Sequence, residues 1–190
     1  MKFTTTILRA LEKAAALHDG QYRKNSKVPY IVHPVAVMLL TSKYSEDEAV
    51  LAVALLHDTI EDTAYTPKEL ERDFGERVKN FVLDITEDKS LPWRERKERY
   101  LEHLRKEAPM ESVLISCSDK LHNMRDILEQ FGSGEEKGNE KLWKAFEGDV
   151  EGYLWYWGEM HRIIKDRLSP AVAAEFEKVY SAVQKSLRRI

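Results

Sequence analysis

The sequence predicts an all-α protein built as a single helical domain. Apolar residues recur at three- and four-residue steps along most of the chain, which is the period of an amphipathic helix. Prolines stand where helices would begin, and no convincing β-hairpin pattern is present. The length of 190 residues fits one domain with a sizeable core. We expect a core over about residues 20–130 and C-terminal helices over about residues 138–190.

Three helices are predicted in the N-terminal part of the chain. The first, over Phe3–Leu17, is amphipathic, and a polar loop follows over Gly20–Tyr30. Pro34 suits the first turn of the second helix. The third segment, Glu46–Leu56, is apolar on every face and predicts a helix at the centre of the core. A buried strand is the alternative for this segment, but its alanine and leucine content favours a helix.

Capping signals predict the remaining helices. Thr66-Pro67-Lys68-Glu69 is a capping box with proline at the first helical position. The further predicted elements are a helix from Pro92 through Arg105, a long helix after Pro109, a polar break over Gly132–Asn139, a helix from Trp143 to Ile164, and a last helix opened by Ser169-Pro170.

Composition excludes several classes of protein. The chain has 30 basic and 33 acidic residues and a net charge of -3, which argues against a non-specific nucleic-acid binder. No apolar run approaches the roughly 20 residues of a membrane span. Arg9, Glu12 and Lys13 interrupt the first apolar stretch, so we expect no signal peptide and a cytoplasmic protein. The one cysteine, Cys117, lies in an apolar run and is interpreted as a buried packing thiol.

The sharpest chemical feature is the block His57-Asp58-Thr59-Ile60-Glu61-Asp62, which follows the most apolar helix. Polar residues at the end of a buried helix are costly unless they are paired or bind a metal. If the helix continued, Glu61 and Asp62 would project near the same edge as His57 and Asp58. An acidic helix end with a packed histidine is the simpler interpretation. Three clustered carboxylates repel one another without a cation, however, and this favours a metal site.

Two more segments carry candidate ligands. His33 precedes Pro34, and Asp119 follows the apolar run of the long helix, with Asn123 one turn beyond it. His122 is interpreted as a packed histidine rather than a ligand.

Together His33, His57, Asp58 and Asp119 offer two imidazole nitrogens and two carboxylates. This donor set suits Mn²⁺, and it also accommodates Fe²⁺ or Zn²⁺.

At these residues the chain resembles the HD superfamily of metal-dependent phosphohydrolases. It is more closely similar to the hydrolase domain of RelA/SpoT-type proteins and to the stand-alone small alarmone hydrolases. Four groups of residues carry the resemblance, in family order, across about two thirds of the chain. They are Arg23 to Ser26 with Pro29 to Pro34, Ala54 to Thr63, Asp88 to Pro92 with Glu95-Arg96-Lys97, and Asp119 to Asn123.

The resemblance implies an HD-type helical fold, one bound Mn²⁺ and a small-molecule nucleotide substrate. The implied reaction is hydrolysis of guanosine 3′,5′-bis(diphosphate)-type alarmones, (p)ppGpp, to GDP or GTP and pyrophosphate. The implied roles are metal ligands at His33, His57, Asp58 and Asp119, a catalytic pair at Glu61 and Asp62, and substrate contacts at Arg23, Lys24, Lys89, Asn123 and, by a weaker match, Tyr153.

Other charged and aromatic residues receive structural interpretations. The run Arg94, Arg96, Lys97 and Arg99 is interpreted as the exposed face of a helix. The cluster at Trp143, Trp155 and Trp157 is interpreted as core or subunit contact, which leaves a homo-oligomer open.

Two alternatives to alarmone hydrolysis stay open at the level of the sequence. The first is an HD phosphatase acting on another nucleotide, such as an adenosine-based alarmone, the 2′-phosphate of NADPH or a nucleoside monophosphate. The second is a nucleotide-sensing module without turnover.

Overall fold

The chain folds as the predicted all-α protein, with no strand among the residues described. The computed structural model describes residues 4–132, 143 and 146–188, and the predicted break beyond Gly132 lies outside them. The helices are α1 (Thr5–Leu17), α2 (Val32–Thr41), α3 (Glu48–Leu56), α4 (Thr59–Asp62), α5 (Pro67–Phe74), α6 (Glu76–Asp84), α7 (Trp93–Lys106), α8 (Met110–Gly132), α9 (Val150–Arg167) and α10 (Pro170–Leu187).

Side-chain caps fix several helix starts. The Thr4 hydroxyl accepts a hydrogen bond from the backbone N–H of Ile7 at the start of α1. The predicted capping box of Thr66 and Glu69 is present at the start of α5, with both reciprocal hydrogen bonds formed. These caps satisfy backbone donors that have no partner within the helix.

The predicted helix from Trp143 to Ile164 is wrong in its N-terminal part. Trp143 is helical, but residues 146–149 are not, and α9 begins only at Val150. Asp149 adopts an extended conformation there, and its carboxylate accepts a hydrogen bond from the backbone N–H of Gly152. An N-cap of this kind starts a new helix, and the apolar spacing of the sequence did not reveal it.

Helix α3 is the centre of the core, as its all-apolar sequence predicts. Every residue from Val50 to Leu56 is buried. Helices α1, α2, α6 and α8 pack around α3, so the C-terminal end of α3 meets α8 inside the protein. This packing places His57, which follows α3, close to residues of α8.

The C-terminal helices cover the opposite side of α8. Helix α9 packs against α7, α8 and α10, and α10 packs against α8. Trp157 is fully buried, and so is Cys117, which confirms its interpretation as a packing thiol. Among the described residues, the structure shows no helix with the length and apolar character needed to cross a membrane.

Candidate active site

Two histidines and an aspartate meet at the break between α3 and α4. His57 ends α3, Asp58 precedes α4, and His33 lies in the first turn of α2. The His57 Nε2 atom lies 3.1 Å from Asp58 Oδ2 and 3.2 Å from His33 Nε2. The three side chains offer ligand atoms that all lie within 4.8 Å of one another. The structure therefore brings together three of the four predicted ligands.

Asp119 adds the fourth predicted ligand from α8. Its Oδ1 atom lies 3.3 Å from His33 Nε2 and accepts a hydrogen bond of 2.5 Å from the Asn123 side chain. Its other oxygen accepts a hydrogen bond from the Lys120 ammonium group. The carboxylate is therefore held from two sides, with one oxygen directed towards the histidines.

Hydrogen bonds to the outer ring nitrogens prepare both histidines for a cation. The His57 Nδ1 atom lies 2.8 Å from the Ala54 carbonyl oxygen, so Nδ1 carries the ring proton and donates a hydrogen bond to that oxygen. The His33 Nδ1 atom lies 2.8 Å from His122 Nδ1. When His33 donates in that contact, both Nε2 lone pairs point into the space between the rings. Two lone pairs 3.2 Å apart repel each other unless a cation or a proton lies between them, so the donor set fits a divalent ion.

The charges of the cluster also favour a cation. Burial lowers the pKa of His57, but the adjacent Asp58 carboxylate more than offsets this and raises the pKa to about 9. Burial raises the pKa of Asp119, but Lys120 and His33 lower it well below its usual range. The carboxylates therefore stay ionised and attract positive charge to the histidines.

His122 does not lie among the ligand atoms, in keeping with its interpretation as a packed histidine. Burial, followed by the neighbouring His33, lowers the pKa of His122 to about 4. The Nδ1 atom of a neutral His122 can accept a hydrogen bond from His33 Nδ1–H and so orient that ring.

Glu61 and Asp62 form an acidic pair beside this cluster. The helix does not continue through the HD pair, but short α4 places the two carboxylates at the edge of the site. Lys89 binds both, with a hydrogen bond to Asp62 and an Nζ–Oε1 distance of 3.5 Å to Glu61. Burial, followed by the charges of Asp58 and Glu87, raises the pKa of Glu61. A carboxyl group with a raised pKa is suited to proton transfer near neutral pH.

Tyr30 joins the ligand cluster to the acidic pair, although no role was predicted for it from the sequence. Its hydroxyl donates a hydrogen bond of 2.6 Å to Asp58 and lies 3.2 Å from Asp62. Burial and these two carboxylates raise the pKa of Tyr30 far above its ordinary value, so the hydroxyl keeps its proton. The signal was present in the sequence, because Tyr30 lies three residues before His33 in the segment that carries the family resemblance.

Arg23 is held by acceptors on α8. It donates hydrogen bonds to Asp126 and, at 2.9 Å, to the side-chain oxygen of Asn123. Since Asn123 also holds Asp119, the predicted substrate residues Arg23 and Asn123 form a chain of contacts that ends at a candidate ligand. Both line the same cleft as the histidines.

Lys24 and Tyr153 lie at an aromatic wall of the cleft. The Lys24 Nζ atom lies 5.0 Å from the centre of the Phe146 ring, and burial is the main cause of its lowered pKa. Tyr153 is packed between Phe146, Trp93 and Trp157, with ring centres 5.1–5.7 Å away. The structure therefore places both predicted substrate residues on the cleft, next to ring faces on which a base can stack.

The interpretation of the basic run as an exposed helix face is wrong for two residues. Arg94 and Arg99 are exposed, but Arg96 is buried and the Lys97 side chain is only 12% exposed. Both pair with the buried carboxylate of Glu87. They belong to the buried face of α7, which also carries Tyr100 and Leu104 at helical spacing, and that spacing is the signal that could have revealed them.

All predicted site residues line one cleft with a volume of about 310 Å³. A helical core that gathers two histidines, two aspartates and an acidic pair in one cleft defines a protein of the HD class.

The chain belongs to the HD-domain family. The family model described as an HD domain matches residues 10–142. A guanosine-3′,5′-bis(diphosphate) 3′-pyrophosphohydrolase named MESH1 from Xenopus tropicalis is 44% identical over 124 residues, which cover 64% of this chain and 69% of that protein. MESH1 from Homo sapiens is 42% identical with the same coverage of both chains. The bifunctional (p)ppGpp synthase/hydrolase SpoT from Escherichia coli is 37% identical over 115 residues, which cover 58% of this chain and 16% of SpoT.

Solved structures show the same fold. A metazoan ortholog of SpoT, reported to hydrolyse ppGpp and to act in starvation responses, superimposes with a TM-score of 0.79 and 27% identity, over 98% of this chain and 99% of that one. A protein from Listeria monocytogenes superimposes with a TM-score of 0.70 and 26% identity, over 85% of this chain and 99% of that one. The likeness to the first structure extends over α9 and α10, which lie outside the matched HD region.

Proposed function

We propose that this protein hydrolyses guanosine 3′,5′-bis(diphosphate) and its relatives to GDP or GTP and pyrophosphate. The observation that carries the proposal is the meeting of His33, His57, Asp58 and Asp119 beside Glu61 and Asp62 in one cleft. Relatives that are 40–44% identical to this chain over 124–127 residues carry the name of this activity.

The two histidines and two aspartates would hold one divalent cation, which we propose to be Mn²⁺. When bound, such an ion makes a hydroxide available near neutral pH and draws electrons from a phosphoryl oxygen. Asn123 and Lys120 fix the Asp119 carboxylate, and Tyr30 fixes that of Asp58. These contacts keep the ligand atoms in place while substrate enters and products leave.

Glu61 and Asp62 would carry out the proton transfers of the reaction. A water oxygen attacks the phosphorus that is joined to the ribose 3′ oxygen, and the bond between that phosphorus and the 3′ oxygen breaks. Asp62, which contacts Lys89 and Tyr30, would orient the water and accept its proton. Glu61, whose pKa is raised by burial, is suited to give a proton to the leaving 3′ oxygen. The products are pyrophosphate and a nucleotide with a free 3′ hydroxyl group.

The base and the 5′-phosphates would occupy the end of the cleft at Arg23, Lys24 and Tyr153. Arg23 and Lys24 supply positive charge, and Phe146 and Tyr153 supply ring faces. Such a combination holds a nucleobase by stacking and its phosphates by charge.

A product analysis tests the proposed function. Protein reconstituted with Mn²⁺ is incubated with guanosine and adenosine bis(diphosphates), NADPH and a nucleoside monophosphate, and the products are resolved by anion-exchange chromatography. We expect pyrophosphate from the guanosine bis(diphosphate). Release of orthophosphate alone, or binding of the nucleotide without turnover, would refute the proposal. Asp58→Asn serves as the inactive control, because it removes one candidate ligand charge while keeping the size of the side chain.

A further inference from the structure

Buried cations line the inner end of the cleft, beneath the acidic pair. Arg96 is 8% exposed and the Lys97 side chain 12% exposed, although both are charged residues on a helix that borders solvent. Glu87 pairs with both from the loop before α7, and its side chain is only 5% exposed. Arg96 also binds Glu147, but that carboxylate is 58% exposed and is screened by water.

Lys120 adds a third buried cation from α8. It is 9% exposed, and its partner is Asp119, which also faces the histidines. Within this buried group three cations, Arg96, Lys97 and Lys120, stand against the two carboxylates Glu87 and Asp119. With the exposed Glu147 on Arg96, the group holds three cations and three carboxylates. Among the described residues, Lys97 and Lys120 each have one acidic partner, and Lys97 shares its partner Glu87 with Arg96.

Tyr156 provides a second and independent sign of a ligand. It is 2% exposed and lines the cleft, yet its hydroxyl has no hydrogen-bond partner among the residues that the structure describes. Lys97 and Lys120 lie over its ring, with Nζ atoms 4.9 Å and 5.8 Å from the ring centre. The neighbouring Tyr100 differs, because its hydroxyl is paired with Ser116 at 2.6 Å. A buried hydroxyl without a partner costs stability unless a ligand or a water molecule supplies the partner.

Helix α8 sets the position of this group relative to the reacting centre. Ser116 and Lys120 face the inner end, Asp119 contacts the histidines, and Asn123 contacts Arg23 at the outer end. Asn123 lies seven residues after Ser116 along the helix, a span of roughly 10 Å. The cleft therefore runs along α8, with the candidate metal ligand between its two ends.

We propose that Lys97, Lys120 and Tyr156 form a subsite for the terminal phosphate of the 3′-diphosphate, the part of the substrate that leaves as pyrophosphate. This inference rests on the proposed function. A phosphate at the inner end accepts hydrogen bonds from the Tyr156 hydroxyl and from the two ammonium groups. The phosphorus under attack then lies next to Asp119, and the nucleoside extends towards Arg23 and Lys24. A substrate that has a single phosphate on the 3′ oxygen leaves the subsite unfilled, so the subsite selects diphosphates.

Binding of inorganic pyrophosphate to the Mn²⁺-loaded protein tests the subsite. Isothermal titration calorimetry at a fixed concentration of free Mn²⁺ compares wild type with Tyr156→Phe and Lys97→Gln. Tyr156→Phe removes only the hydroxyl, and we expect the Kd for pyrophosphate to rise about tenfold, since a hydrogen bond to a charged group is lost. The Kd for GDP, which has no 3′-phosphate, should change less than about twofold. Tyr65→Phe is the matched control, because Tyr65 is also a buried tyrosine but its hydroxyl donates a hydrogen bond to Asp73 and does not line the cleft.

The possible outcomes separate the subsite from the proposed function. An unchanged Kd for pyrophosphate in both Tyr156→Phe and Lys97→Gln overturns the subsite, and so does an equal loss of affinity for pyrophosphate and GDP. Hydrolysis of the guanosine bis(diphosphate) by wild-type protein is measured separately and decides the function. If wild type binds pyrophosphate through Tyr156 but releases none from the alarmone, the function fails and the anion subsite stands.

Discussion

Replacement of Tyr30 by phenylalanine tests whether the ligand cluster and the acidic pair act as one unit. The change removes a single oxygen atom, which donates a hydrogen bond of 2.6 Å to Asp58 and lies 3.2 Å from Asp62. A hydrogen bond to a charged group contributes about 1.5–3 kcal/mol. The shorter contact alone therefore predicts a fall in kcat/KM of roughly 10- to 100-fold, since about 1.4 kcal/mol corresponds to a factor of ten.

The loss should appear in metal binding as well as in turnover. Without the tyrosine hydroxyl, the Asp58 carboxylate has fewer contacts that hold it towards His33 and His57, and we expect the Kd for Mn²⁺ to rise by up to about tenfold. The measurements are a Mn²⁺ titration and steady-state kinetics on the guanosine bis(diphosphate) at saturating Mn²⁺.

The pH profile tests whether the Tyr30 hydroxyl acts as a fixed hydrogen-bond donor or exchanges its proton in the working range. Burial and the two carboxylates raise the pKa of Tyr30 far above its ordinary value, so the hydroxyl stays protonated in the working range. Tyr30→Phe should therefore lower the rate by the same factor at every pH below about 10. Tyr22→Phe, at an exposed tyrosine in the same loop, is the control. Wild-type kinetics and wild-type metal affinity in Tyr30→Phe would show that the contact has no role.

Three further changes test other parts of the site and fold. Asp58→Asn should reduce bound Mn²⁺ at least about tenfold, as measured by atomic absorption, with an unchanged circular dichroism spectrum. Glu61→Gln should lower kcat by about 100-fold or more at unchanged metal content, because the amide cannot transfer the proton; an unaltered kcat would exclude Glu61 from proton transfer. Glu175→Gln should lower the free energy of unfolding by about 1–2 kcal/mol at neutral pH. Burial raises the pKa of Glu175, but hydrogen bonds from Lys43, Tyr44 and Arg125 outweigh burial and lower the pKa to about 2. That stabilisation is present above the unfolded pKa of 4.5 and disappears as the pH falls towards 2, so urea unfolding of the variant should show a smaller loss of stability over this range.

The sequence predicted the parts of the fold that depend on local patterns. The all-apolar segment that forms α3 leaves no face for solvent, so a central position in the core follows directly. The capping box at Thr66 is also local, because its two hydrogen bonds join residues three apart. His33 and Asp119 were proposed as ligands from their residue types, and the family resemblance supported placing them in one site, since no local pattern relates residues that far apart in sequence.

What the sequence did not predict depends on the pairing of single polar side chains. Arg96 and Lys97 look like solvated charges in a run of basic residues, and their pairing with Glu87 makes their burial tolerable. Helix α9 begins at the Asp149 cap, although the apolar spacing continues without a break from Trp143 to Ile164. In each case an interaction of one polar side chain overrode the pattern around it.

Ion pairs along α8 allow this one helix to carry a candidate metal ligand and also residues at both ends of the cleft. Charges on a buried helix face are costly unless each finds a partner, and α8 satisfies this condition with Lys120 on Asp119 and Arg23 on Asp126. Because Lys120 and Asn123 each donate a hydrogen bond to one oxygen of Asp119, this carboxylate has little freedom to rotate away from the histidines. Such a site is preorganised for the cation and for the anion that follows it. A change in the rotational register of α8 would displace the candidate ligand and both ends of the cleft together, so the alignment of substrate with the reacting centre depends on the packing of this one helix.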